Sequence, residues 1–118
     1  MTTKNYTSDE QKQIAGTIIS QLGGSGRLSA MTGAKHFGCG ENDNGNVFVT
    51  FKIGRNARSV NYVKITLNGS DLYDTEYSHI TVKAYKVKSA SDNIYNDMLK
   101  ADFEAATGMY LSLGTISA

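Results

Sequence analysis

The chain has 118 residues, of which 40% are hydrophobic and 19% are charged. This length predicts one domain over residues 1–118 and excludes a two-domain enzyme, and the hydrophobic fraction excludes a disordered tail. Twelve basic residues against 11 acidic ones leave a net charge of +1, so bulk charge gives no strong attraction to nucleic acid or to an anionic membrane.

The first predicted element is a helix. Ser8 and Gln11 have the spacing of a capping box, and the pair Gly23-Gly24 is typical of a helix end. Between them, the apolar residues that fall on one helical face are Ile14, Ile18, Ile19 and Leu22. The following stretch, residues 24–45, is rich in glycine and aperiodic, apart from one helical turn expected at residues 28–31.

Two strands with a short loop between them are predicted next. Residues 47–53 and 62–67 each alternate apolar and polar side chains, the period of a sheet with two unlike faces. Asn68-Gly69 is a strong turn signal that ends the second strand. We therefore expect a β-hairpin whose loop covers residues 54–60.

The second half of the chain predicts one more strand and one more helix. Residues 70–76 are polar and are expected to form a connector, and residues 77–88 regain strand composition. Ser91 is a good N-cap for a helix that runs to Gly108. Residues 109–113 alternate and could form an edge strand, and residues 114–118 are expected to be a flexible tail.

The element order α-β-β-β-α, with the optional last strand, predicts an α+β fold. Three or four antiparallel strands form the sheet, and the two helices pack on one face of it. The other sheet face is then open to solvent. Strand alternation places these residues on it: Phe48, Thr50, Lys52, Tyr62, Lys64, Thr66, Tyr77, His79, Lys83 and Tyr85.

This open face suggests nucleic-acid binding, because aromatic rings stack on bases and lysines contact phosphates. Tyr62 and Tyr85 are the expected stacking residues, and Lys52, Lys64 and Lys83 the expected phosphate contacts. The alternative is a set of ordinary cross-strand pairs, since strand propensity alone enriches tyrosine and threonine.

The predicted hairpin loop is basic. Lys52, Arg55 and Arg58 lie close together without an intervening acid, so the loop could contact a phosphate backbone or an acidic protein surface. A loop that only improves solubility is the alternative. The acidic connector with Asp71, Asp74 and Glu76 is better explained by turn caps than by a metal or a cationic partner.

Enzymatic and metal-binding functions have little support in the sequence. Cys39 with His36 as its base lacks a predicted ordered, electropositive pocket, and the H-x-x-C spacing of the same two residues supplies half of a zinc site at most. No P-loop or dinucleotide-binding motif is present. We therefore expect a protein that is not an enzyme and that has no cofactor and no metal.

Four segments carry a resemblance to a known group of proteins: residues 21–24, 31–35, 62–73 and 107–113. Together they resemble a family of small uncharacterised phage and prophage proteins of about this length. The resemblance implies a phage accessory protein in the cytoplasm of an infected bacterium. It implies no catalytic residue and no fixed ligand.

Two functions follow as hypotheses. The first is a non-catalytic module that binds nucleic acid through the open sheet face and the basic loop. The second is a protein-binding inhibitor of a bacterial defence system, similar in role to an anti-CRISPR protein. No signal peptide and no long apolar run are present, so no membrane partner is expected. A homodimer could form through a C-terminal strand.

Overall fold

The computed structural model describes residues 7–111 of the chain. Its elements are α1 (Ser8–Gln21), α2 (Ser25–Thr32), β1 (Lys35–Glu41), β2 (Val47–Lys52), β3 (Tyr62–Leu67), β4 (Tyr73–Ile80), β5 (Tyr85–Ile94) and α3 (Leu99–Thr107), with a 3-10 turn at Asn96–Met98. All five strands form one antiparallel sheet in the order β1-β2-β3-β4-β5. The predicted α+β class is confirmed, whereas the predicted three or four strands and two helices become five and three within residues 7–111.

The N-cap of helix α1 lies one residue earlier than the sequence suggested. Thr7, not Ser8, is the N-cap: the backbone N–H of Glu10 donates to Thr7 Oγ1 (3.1 Å), and the N–H of Thr7 donates to Glu10 Oε1 (2.9 Å). This reciprocal pair satisfies two N–H groups that no helical carbonyl reaches. The helix then ends before Gly23 and Gly24, as predicted.

The glycine-rich stretch contains a helix and a strand that the alternation rule did not identify. Strand β1 shows no apolar alternation because Gly38 and Gly40 occupy its open-face positions. A Cβ atom at Gly40 would lie 2.9 Å from Cζ of Phe48, closer than real Cβ contacts occur. The aromatic ring on β2 therefore lies across β1, and the glycine makes room for it.

The predicted single strand over residues 77–88 is instead the middle of a β-hairpin. A turn at residues 81–84 separates β4 from β5, with the N–H of Thr81 donating to the carbonyl of Ala84 (2.8 Å). Residues 73–76 belong to β4, so the predicted connector was wrong. The predicted helix start at Ser91 was also wrong, because β5 continues to Ile94. Residues 109–111 are not in a strand, and residues 112–118 lie outside the described part.

The helices cover one face of the sheet. The buried residues of the sheet and helices form one hydrophobic cluster, in which the largest fully buried side chains include Tyr77, Phe51, Phe103, Ile18, Leu22, Leu28 and Ile65. Burial of apolar side chains of this size stabilises a fold by about 1.5–3 kcal/mol each. The opposite face of the sheet remains open, which is the arrangement that the sequence predicted.

Candidate nucleic-acid interface

The open face of the sheet carries most of the residues that the sequence placed on it. The register between strands puts these on the face away from the helices: Phe48, Thr50 and Lys52 of β2, Tyr62, Lys64 and Thr66 of β3, and Tyr85 of β5. Lys83 lies in the turn between β4 and β5, beyond the end of the face. The six residues on β2 and β3 lie where the sequence predicted them, because the predicted bounds of both strands agree with the structure to within one residue.

Tyr77 and His79 do not lie on the open face, contrary to the prediction. Tyr77 pairs with Val63 on the helix side and is fully buried. Its hydroxyl donates to Oδ2 of Asp102 on α3 (2.8 Å), an oxygen that also accepts from the hydroxyl of Thr75 (2.7 Å). Burial and the neighbouring Asp102 carboxylate raise the pKa of Tyr77. The turn at residues 81–84 pairs Ile80 with Tyr85 and so reverses the odd–even alternation between β4 and β5. The predicted face was therefore wrong at Tyr77 and right at Tyr85.

One end of the sheet is strongly basic. The start of β1, the end of β2, the β2–β3 loop and the β4–β5 hairpin meet there. Seven cations lie in these segments: Lys35, Lys52, Arg55, Arg58, Lys83, Lys86 and Lys88. Residues 33–40, 52–61 and 79–91 contain no Asp or Glu. We call this group of seven residues the basic end.

The opposite end of the sheet is acidic. The β1–β2 turn, the β3–β4 turn and the end of β5 contribute Glu41, Asp43, Asp71, Asp74 and Asp92. Residues 41–47, 67–74 and 91–97 contain no Lys or Arg. The net charge of +1 therefore conceals two poles of opposite sign, and a polyanion is attracted to one of them only.

The basic loop between β2 and β3 is held in one shape by a single side chain. Asn56 Oδ1 accepts from the backbone N–H groups of Arg58 (3.2 Å) and Val60 (3.1 Å), and Asn56 Nδ2 donates to the carbonyls of Gly54 (2.9 Å) and Val60 (2.6 Å). The N–H of Gly54 also donates to the carbonyl of Thr32 at the end of α2 (2.8 Å). Arg55 and Arg58 are thus displayed from a loop with a defined backbone.

Two tyrosines stand together where the open face meets the basic end. The rings of Tyr62 and Tyr85 are in edge-to-face contact with centroids 6.1 Å apart. The Tyr85 hydroxyl donates to Oε2 of Glu76, which fixes the ring although 54% of the residue is exposed. Partial burial and the hydrogen bond to the Glu76 carboxylate raise the pKa of Tyr85. An ordered aromatic pair with one exposed ring, that of Tyr85, is suited to stacking against a planar ligand.

The centre of the open face is less suited to an anion than its basic end. Lys64 places its Nζ 4.5 Å from the centroid of the Phe48 ring, a cation–π contact. Its neighbour across the β3–β4 ladder is Glu76, with Asp74 two residues before it on the same face. These carboxylates repel phosphates that would run along the strands. The electrostatics of this face therefore favour an anion at its basic end over its centre.

The sequence analysis did not name three members of the basic end as candidate site residues: Lys35, Lys86 and Lys88. His79 was expected on the open face. The signal that could have identified Lys86 and Lys88 is the absence of any acid from residues 79–91, which would have marked the second hairpin as part of a cationic surface.

Comparison of the chain with protein-family models, with curated proteins and with solved structures found no match. Within residues 7–111, no group of three or more His, Cys, Asp or Glu side chains is arranged to hold a metal ion. No helix in that part of the chain has the length and apolar character required to cross a membrane.

Proposed function

We propose that this chain is a non-catalytic nucleic-acid-binding module. The basic end contacts phosphates, and Tyr62 and Tyr85 stack with bases. The observation that carries the proposal is the separation of charge: seven cations lie in segments that contain no Asp or Glu, beside an ordered tyrosine pair in which Tyr85 is half exposed and hydrogen-bonded to Glu76. Single strands are the preferred ligand, because stacking on a protein surface requires bases that are not already paired.

The biological setting that we propose is an accessory role in a phage-infected bacterium. This part rests on the sequence resemblance to small phage and prophage proteins. A small non-catalytic module in the cytoplasm meets both its own genome and host nucleic acids there, and the basic end makes no distinction between them on charge alone. Sequence preference would have to come from base contacts near the tyrosine pair.

The test is a fluorescence-anisotropy titration of labelled single- and double-stranded oligonucleotides at several salt concentrations. Replacing Arg55 and Arg58 together by alanine should flatten the log–log salt slope by about 1.4, since each single-strand phosphate contact contributes about 0.7. The matched control replaces Lys12 and Lys100 by alanine. It removes the same charge from α1 and α3, outside the basic end, and should leave the slope unchanged.

Stacking is tested separately. Tyr62→Ala should weaken single-strand binding by roughly 5- to 150-fold, since stacking contributes about 1–3 kcal/mol per base, with a smaller effect on duplex. Absence of binding to either oligonucleotide at low salt would contradict the proposal. Equal loss in the Arg55/Arg58 and Lys12/Lys100 variants would show that only net charge matters.

A second candidate is a protein-binding inhibitor of a bacterial defence system. The β4–β5 hairpin favours it, because Val82 is completely exposed and Val87 is 49% exposed between lysines. An acidic protein surface with an apolar centre could bury these valines, whereas nucleic acid leaves Val82 without a matching contact. A complex isolated from host lysate that survives nuclease treatment and is lost in Val82→Asp would support this function.

A further inference from the structure

An apolar groove lies on the helix side of the sheet, between α1 and the edge strand β1. Its volume is about 540 Å³, which is within the range of about 300–1,000 Å³ that is usual for ligand pockets. The sheet separates the groove from the open face that carries Tyr62 and Tyr85. A ligand in the groove would therefore be distinct from the proposed nucleic-acid ligand.

One wall of the groove is a stripe of residues along α1. The three- and four-residue spacing of one helical face places these residues on it: Lys12, Ala15, Gly16, Ile19 and Ser20. From Lys12 to Ser20 the stripe is about 12 Å long, since each helical residue adds about 1.5 Å. A Cβ atom at Gly16 would meet nothing within 4 Å, so the middle of this wall leaves free space. The groove is thus suited to an elongated ligand.

The opposite wall is the helix-side surface of β1 and β2. Cys39 is the register partner of Val49, which is buried on that side. The ring centroids of Phe37 and Phe51 are 5.4 Å apart, yet 41% of Phe37 is exposed. Within residues 7–111, β1 pairs with β2 alone, so no further strand covers these side chains. A half-exposed phenylalanine in an apolar groove favours a ligand with an apolar body.

The charge of the groove selects the sign of the ligand. Lys12 is the only charged residue among the described residues that line it. Residues 11–40 supply every lining residue except Val49, and they contain no Asp or Glu. Glu41 follows on β1 beyond the lining, where its Oε1 accepts a hydrogen bond from Nε2 of Gln11 (3.4 Å). An anionic group in the groove therefore meets a lining cation and no lining acid, whereas a cationic group is repelled by the lysine.

We propose that this groove binds an elongated apolar carboxylate, of the class of medium-chain fatty acids. The carbon chain lies along Gly16 and Ile19, against the ring of Phe37. The carboxylate pairs with the ammonium group of Lys12 at the end of the stripe. Removal of the carbon chain from water supplies most of the affinity, and the exposed ion pair contributes less but selects the charge of the head group. This site does not depend on the proposed nucleic-acid binding.

Calorimetric titration with octanoate, decanoate and dodecanoate, each below its critical micelle concentration, tests the site. We expect one molecule to bind per chain, with an affinity that rises by about two- to fourfold for each added methylene, since full burial of a methylene gives about fourfold. Lys12→Ala should weaken dodecanoate binding by about two- to fivefold, the effect of an exposed ion pair. Dodecyltrimethylammonium, which has the same chain and the opposite charge, should bind more weakly. Equal affinity of the two amphiphiles, or no binding of dodecanoate, overturns the proposal.

A variant that fills the groove locates the site. Gly16→Leu places a side chain in the free space beside α1, and leucine is more favourable than glycine within a helix, so the fold should be retained. Dodecanoate binding should weaken by about tenfold or more, because the leucine occupies the volume that the carbon chain needs. Gly26→Leu is the matched control: it adds the same side chain to α2, at a position outside the lining where a Cβ atom also meets nothing within 4 Å. Equal affinity of the two variants overturns the groove as the site.

A second measurement uses the wild-type protein. Cys39 is the only cysteine of the chain, and it is an exposed residue that lines the groove. Iodoacetamide is uncharged, and it should alkylate this thiol more slowly when dodecanoate saturates the protein; the mass of the intact chain measures the rate. An unchanged rate overturns the site. A rate that falls with protein concentration in the absence of dodecanoate also overturns it, because a second copy of the chain would then cover the groove.

Discussion

The buried hydroxyl of Tyr77 provides the sharpest test of the structure. Tyr77→Phe removes one oxygen atom from a fully buried ring and leaves the rest of the side chain in place. The lost contact is the 2.8 Å hydrogen bond to Oδ2 of Asp102. Thr75 then remains as the other donor to that oxygen, at 2.7 Å. The Asp102 carboxylate on α3 then keeps one of its two hydrogen bonds from the sheet.

The expected cost follows from the type of bond. Hydrogen bonds to charged groups contribute about 1.5–3 kcal/mol, so the free energy of unfolding should fall by about 2 kcal/mol at pH 7. In a chain of this size, 1 kcal/mol shifts the melting temperature by roughly 4 °C or more. Thermal unfolding followed by circular dichroism should therefore show a fall of about 8 °C or more.

The same hydroxyl gives the wild type a dependence on alkaline pH. Burial raises the pKa of Tyr77 above its ordinary value of 10.0, and the Asp102 carboxylate raises it further. Above pH 10 the unfolded chain releases this proton and the folded chain keeps it. Stability is therefore fully present below pH 10 and declines as the pH rises, at up to about 1.4 kcal/mol per pH unit for one proton. In Tyr77→Phe the part of that slope that comes from Tyr77 should be lost, while the raised pKa values of Tyr73 and Tyr85 leave a smaller slope.

Urea unfolding at pH 7, 10 and 11 measures both effects. Tyr95→Phe is the control, because it removes the same atom from a side chain that is 64% exposed. It should change the free energy of unfolding by less than about 0.5 kcal/mol, as exposed substitutions usually do. Two results would refute the buried hydrogen bond between Tyr77 and Asp102. One is an equal fall in the free energy of unfolding of the two variants at pH 7, and the other is an unchanged dependence of stability on alkaline pH in Tyr77→Phe.

Two further predictions concern the open face and the helices. Glu76→Gln removes a negative charge beside Tyr85 and should strengthen single-strand binding at low salt. Asp43→Asn removes the same charge at the acidic end and should not strengthen binding. Equal effects of the two variants in anisotropy titrations would contradict the proposed location of the binding site. Gly16→Ala should stabilise the fold by about 1 kcal/mol, since an added Cβ meets nothing within 4 Å on α1, while Gly33→Ala should destabilise it because φ is 73° there. Thermal unfolding checks the opposite signs.

The elements that could be predicted are those whose signal is local. Strands β2 and β3 alternate without interruption, and Asn68-Gly69 marks the turn that follows β3. Strand β1 could not be identified in this way, because its glycines give space to Phe48 and show no pattern of their own. That requirement comes from a neighbouring strand and is visible only once the sheet is paired.

The second hairpin was missed for a related reason. Its turn, Thr81 to Ala84, contains no Gly, Asn or Pro. It is closed by Thr81 Oγ1, which accepts hydrogen bonds from the backbone N–H groups of Lys83 and Ala84. Without a turn signal, residues 77–88 were treated as one strand, and Tyr77 was placed on the wrong face. Tyr62 and Tyr85 were nevertheless predicted on one face, and their contact depends on a register that alternation alone does not provide.

The strand order has a consequence for how the chain folds. Each strand pairs only with strands adjacent to it in the sequence, so every ladder closes through a single turn or loop and no segment has to cross over the sheet. Short closures cost less chain entropy before they gain contacts, which favours rapid folding among sheet proteins. The sequence also contains no proline, so no prolyl bond has to isomerise. Refolding should therefore proceed without the phase of tens of seconds that such bonds impose.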